Sequence, residues 1–174
     1  MVSGLINENP IVYERKERVR DVRTDSSNTN ELSVDAIDQL EVFDILIGSI
    51  CLITNLTHHI RDIKDPEHPY SLEQLKVLTE DSVEVDDTKS HVRVTFTPTV
   101  EHCSMATIIG LCVRVKLMRS LPPRYKIDIR VAPGTHATEA AVNKQLNDKE
   151  RVAAALENPN LVEMVDECLS PSFE

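Results

Sequence analysis

Apolar and polar positions alternate most regularly in two stretches of this chain. Over 92–97, Val92, Val94 and Phe96 interleave with Arg93, Thr95 and Thr97; over 125–131, Ile127, Ile129 and Val131 interleave with Lys126, Asp128 and Arg130. A period of two is that of a strand with one buried face. Val83 and Val85 alternate with Ser82, Glu84 and Asp86, and a polar turn over 86–90 joins them to the 92–97 strand as a hairpin. Val77 and Leu78 read as a further strand segment. Pro98 has no N–H to give a ladder, so the chain leaves the sheet there. From Met105 the period lengthens: Met105, Ile108, Ile109, Cys112, Val115 and Met118 predict a helix burying one broad face. Arg114, Lys116 and Arg119 fall in its last turns, where the helix dipole favours positive charge. Pro122-Pro123 stop it.

The flanks are helical. Ile37, Leu40 and Phe43 predict a helix over 35–43, and a second piece from 60 should end by Lys64, because Pro66 biases Asp65 away from helix. Ser71 and Gln74 have capping-box spacing at the start of a short turn over 71–75. A helix follows over 139–146. Asn147 and Glu150 suggest a second capping box starting 151–157, which Asn158-Pro159 ends. Asn160 and Glu163 open the last helix, with Leu161, Met164, Val165, Cys168 and Leu169 on one face. Residues 1–36 lack any sustained apolar period and read as a disordered polar arm; 170–174 read as a tail. The order predicts an α+β domain over 37–169: a small mixed sheet with helices packed mainly on one face.

Composition narrows the function. The 174 residues suit one domain with tails, and 41% apolar content supports a core built on aliphatic residues, since aromatics make up only 3%. A net charge of −10 disfavours nucleic acid and anionic membranes as direct partners. The four cysteines, at 51, 103, 112 and 168, form no CxxC pair and no zinc spacing, and the polar first ten residues carry no secretory pattern. Free thiols in a reducing compartment, such as the cytoplasm, are expected. No phosphate loop, HExxH or serine elbow supports a nucleotide or hydrolase reading.

Candidate chemistry gathers between the 92–97 strand and the central helix, in Thr99-Val100-Glu101-His102-Cys103-Ser104. This spacing puts a thiol at or just before a helix N-terminus, where free N–H groups and the dipole favour the thiolate, the nucleophilic and metal-ligating form. A buried inert cysteine is the bland alternative; a loop position beside Glu101, His102 and Ser104 favours function for Cys103. Cys112, on the apolar helix face, reads as core. Asp65 and Glu67 sit in a proline-bounded turn, where carboxylates cap backbone N–H groups or bind metal; capping is the commoner use. His136, in the loop after the 125–131 strand, either approaches Cys103 or is simply at the surface.

Four blocks carry a resemblance: RDIKDPEHP (61–69), FTPTVEHCSMATIIGL (96–111), APGTHATE (132–139) and NDKERVAAALENPNLVEMVDECL (147–169). Together, in order, they resemble the eukaryotic cytosolic iron–sulfur assembly adaptor family, the galla-type proteins related to bacterial Suf-type assembly domains. The resemblance implies a Suf-like α+β fold with Cys103 as the reactive cysteine that touches a cluster. Thr99, Glu101, His102, Asp65, Glu67 and His136 would support it, the Asp-Pro-Glu run being a hallmark of the wider family. It also implies an adaptor, not an enzyme, working with a WD-repeat propeller protein and a HEAT-repeat scaffold. That adaptor would help deliver clusters to cytosolic and nuclear apoproteins, with chromosome segregation affected downstream. One thiolate falls short of the four that a [4Fe–4S] cluster takes. No resident cofactor is therefore expected, but a transient cluster shared with a homodimer mate, a partner's cysteines or a small thiol. A metal-free interaction scaffold is the alternative, and a Cys103-nucleophile enzyme a more distant one. The apolar run 45–58, ILIGSICLITNLTH, interrupts the family pattern, in which the Phe-Asp pair runs directly into His-Ile-Arg-Asp. It is too short to span a bilayer. It reads as an alternative splice product, or a gene-model error that retained in-frame intron sequence, in preference to a genuine extended helix or hydrophobic docking segment.

Overall fold

The computed structural model describes residues 10–14, 37, 39, 42, 63–99 and 104–170. Three strands form one sheet in the order β1 (Val83–Asp86), β2 (His91–Phe96), β3 (Lys126–Val131). β1 and β2 are the antiparallel hairpin, with Val83 opposite Val94; β2 and β3 run parallel, with Phe96 opposite Val131. The parallel crossover between β2 and β3 is the central helix, α1 (Met105–Ser120). Three further helices follow: α2 (Glu139–Asn147), α3 (Lys149–Glu157) and α4 (Pro159–Leu169). The expected small mixed sheet and α+β class are what the chain forms. Val92, Val94 and Phe96 are buried under the helices, while Arg93 on the other face joins Asp128 at 3.0 Å and Glu84 at 3.3 Å across the three strands.

α1 departs from the expected single face. Ala106 and every residue from Ile108 to Leu117 are buried, whereas Met118, assigned to the apolar stripe, is 54% exposed. The reason is that α1 contacts β3, α2 and α4, so it has little solvent side. Arg114 is accordingly no simple dipole charge: its Nη1 donates to Ile127 O at 3.2 Å beneath β3. Gly110 admits the close approach of α2, because a Cβ there would lie 2.8 Å from Leu146 Cδ2, and Leu146 is fully buried.

Several boundaries differ from expectation because backbone groups find longer-range partners. Ile63 and Lys64 are not helical, which agrees with an end by Lys64, while residues 60–62 lie outside the described ones; Lys64 pairs as an isolated antiparallel bridge with Ser71, across a loop in which Asp65 N donates to Tyr70 O at 2.9 Å. The Ser71–Gln74 capping box forms, with Ser71 N to Gln74 Oε1 at 3.0 Å and Gln74 N to Ser71 Oγ at 3.2 Å. Val77 and Leu78 are buried bends, not strand, because the left-handed Lys76 (φ 53°) turns the chain just before them. α3 is capped by Asp148, which accepts from Glu150 N and Arg151 N; α4 is capped by Asn158, with Pro159 in its first turn. The expected caps, Asn147 and Asn160, lie within α2 and α4 themselves. Asn147 Oδ1 accepts from Ile129 N at 2.9 Å and its Nδ2 donates to Ile129 O at 2.7 Å, a clamp on the sheet edge.

Of the helix over 35–43, Gln39 and Val42 are described and helical, and Val42 is fully buried. The run 45–58 and most of the arm 1–36 lie outside the described residues. Within that arm, Tyr13 N donates to Gln74 O at 2.8 Å, and Lys76 Nζ sits 3.6 Å from the centre of its ring.

Candidate functional site

Parallel pairing makes β2 and β3 end together, so the loops that leave them start from one edge of the sheet. Ala132 N donates to Phe96 O at 2.8 Å and closes that edge. One loop passes through Pro98 and Thr99 towards α1; the other, over 132–138, carries His136. Topology thus starts these two loops from the same end of the sheet. Val100, Glu101, His102 and Cys103 themselves lie outside the described residues. Ser104, with helical φ and ψ and no side-chain capping bond, opens α1 directly after them. Half-buried His136 turns inward on its own loop, its Nδ1 3.2 Å from Thr138 N.

The other two candidates, Asp65 and Glu67, stand across from the start of α1. Residues 65–70 form a loop bracketed by Pro66 and Pro69 and closed by the Lys64–Ser71 bridge. Asp65 Oδ1 accepts from Glu67 N at 2.9 Å and His68 N at 3.1 Å, the self-capping turn that its sequence suggests. That uses one oxygen. Oδ2 is buried with no hydrogen-bond partner, as is Nε2 of His68, and Asp65 is only 6% exposed. Burial pushes the Asp65 carboxyl above its usual range, against the pull of the two backbone N–H groups. Donor atoms of Asp65, Glu67 and His68 all lie within 4.8 Å of one another.

This turn forms one wall of a cavity of about 400 Å³, with Met105 from the first turn of α1 and Met164, Glu167 and Cys168 from α4 opposite. The structure therefore brings Asp65 and Glu67 to the N-terminal end of α1, two residues after Cys103. His136 is not part of the cavity wall. His68 was missed by the sequence reading, although the Pro-bracketed spacing D-x-E-H held a signal: so tight a turn returns position 68 beside position 65. Cys112 and Cys168 are buried free thiols, so the core reading of Cys112 holds. They are hydrogen-bonded to each other, which together with burial pushes Cys112 up, while the same bond pulls Cys168 down.

A family model described as iron–sulfur cluster assembly protein matches residues 54–131. The chain is 74% identical over 174 residues to Protein AE7 of Arabidopsis thaliana, covering 100% of both chains. It is 51% identical to cytosolic iron-sulfur assembly component 2B of Mus musculus, over 96% of this chain and 93% of the mouse protein. It is 48% identical to MIP18 family protein galla-2 of Drosophila melanogaster, over 98% of each.

Proposed function

The chain belongs to the family of iron–sulfur cluster assembly proteins, and on that premise we propose that it serves cytosolic iron–sulfur assembly as an adaptor. It would help deliver clusters to cytosolic and nuclear apoproteins. The mouse relative is named a component of cytosolic iron–sulfur assembly, which supports the compartment and the process. The observation that carries the reading is the cavity of about 400 Å³ where the 65–69 turn, the start of α1 and α4 meet. Met105, two residues after Cys103 in the sequence, lines it.

The cluster in this reading is cargo. Among the described cysteines, Cys112 and Cys168 are buried and hydrogen-bonded to each other; Cys103 would act with sulfur ligands from a second copy, a partner or a small thiol. In this reading the cluster is ligated transiently and is not resident on the chain. A WD-repeat propeller protein and a HEAT-repeat scaffold are the proposed partners, and chromosome segregation would suffer secondarily when delivery to nuclear enzymes fails. The reading assigns the chain no catalysed reaction. Among the described residues no helix is long and apolar enough to cross a membrane.

The test is anaerobic reconstitution with iron and sulfide, followed by absorbance and Mössbauer spectra, on the wild type and Cys103→Ala, each with and without the WD-repeat partner. A cluster signal that Cys103→Ala abolishes is the expected result. Absence of signal in every combination, with partner binding intact, would replace the carrier by a metal-free scaffold.

A further inference from the structure

The wall of the cavity holds donors that a cluster on Cys103 does not use. A buried acceptor left without a hydrogen bond is costly, and native chains keep few of them. Here two unpaired buried atoms, Asp65 Oδ2 and His68 Nε2, belong to side chains three residues apart in one turn. The Glu67 carboxylate completes a group whose ligand atoms lie within 4.8 Å of one another. We propose that Asp65, Glu67 and His68 form a mononuclear site for a divalent first-row transition-metal ion, bound through two carboxylates and one imidazole.

Oxygen and imidazole donors without thiolate suit zinc, ferrous iron or manganese, and a carboxylate–histidine set with open positions is a familiar arrangement for such ions. Bonds of about 2.1 Å place ligand atoms roughly 3–4 Å apart around an ion. The observed spread, within 4.8 Å, is slightly wider, so binding would draw the three side chains closer together. The turn is prepared for this. Pro66 and Pro69 restrict its backbone, and two N–H bonds occupy Asp65 Oδ1, which leaves Oδ2 as the oxygen without a hydrogen bond. Among the described residues that line the cavity, three carboxylates, Asp65, Glu67 and Glu167, stand against one ammonium, that of Lys64, a balance that suits a cation. The remaining coordination positions would open into the cavity, which has room for water or an incoming ligand. The site needs nothing from Cys103 and is independent of the carrier reading.

The full chain, stripped with chelator, would be titrated anaerobically with cobalt(II) by visible absorption and calorimetry, alongside His68→Gln and Glu67→Gln. Circular dichroism would confirm that each variant is folded, and two variants keep the test alive if one is not. The expected result is one cobalt per chain, displaced by zinc, with affinity reduced by more than about tenfold in each folded variant, since even outer-shell losses cost that much. No saturable cobalt binding by the wild type, or wild-type affinity in a folded variant, would overturn the site. Iron and sulfide given to the same samples keep the two readings apart. Cobalt binding without cluster assembly removes only the carrier, and cluster assembly without a cobalt site removes only this proposal.

Discussion

Asp86 closes β1 and organises the turn into β2 with its carboxylate. Lys89 Nζ lies 2.8 Å from Oδ2, while Thr88 Oγ1 at 2.5 Å and Lys89 N at 3.1 Å donate to Oδ1. The lysine first, then these donors, hold its pKa at about 2, below the ordinary 3.8. A folded-state pKa below the unfolded one adds stability above the unfolded value, which is lost as pH falls through the folded one. Asp86→Asn is therefore expected to lower the urea midpoint slightly at pH 7, with the difference from wild type closing between about pH 4 and pH 2. Equal midpoints at pH 7 would show that the exposed turn contributes nothing. The polar turn was legible in the residues 86–90, as was the self-capping of Asp65, because both bond to backbone within three residues. The unpaired second oxygen of Asp65 was not, since it depends on what packs around the turn.

Helices and strands followed the periodicity wherever they meet one neighbour, and departed from it where they meet several. β3 shows the gain from a second contact. It is the open edge of the sheet, and unpaired edge N–H groups invite pairing with other chains. Here Val131 N donates to Asn143 Oδ1 at 2.7 Å and Ile129 N to Asn147 Oδ1 at 2.9 Å, so α2 occupies the edge with side-chain amides. Both asparagines lie one helical turn apart on the same face of α2, which the sequence could have suggested; that this face meets β3 it could not. Asn147→Ala leaves both Ile129 backbone groups without these partners and is expected to cost about 1–3 kcal/mol. Chemical denaturation would measure that, and hydrogen exchange should speed most at the Ile129 amide. Unchanged exchange there would mean that water replaces the clamp at no cost.

The molecule as a whole is organised around α1, with the sheet, α2 and α4 against it and the cavity at its N-terminal end. α4 covers Cys112 with Val165 and Cys168, both buried, and Cys168 O accepts from Lys64 N at 2.9 Å, fastening the chain's end to the 65–69 turn. Fully burying one aliphatic side chain contributes about 1.5–3 kcal/mol, so losing this helix removes a large share of a typical margin of about 5–15 kcal/mol. A chain ending at Asn158 should accordingly lose its sharp thermal transition; a transition at the full-length temperature would show that α4 is dispensable. Local chemistry in the amino acids was enough to specify the alternating strands, the hairpin, the proline stops, the Ser71–Gln74 box and the α+β order, because each depends on neighbours within a few positions. It also marked Asp65 and Glu67. Three-dimensional packing alone settled which charges are buried, which asparagines cap and which clamp, and that His68 stands with Asp65 facing α1 and α4. Those outcomes depend on contacts between segments dozens of residues apart, and no local period records them.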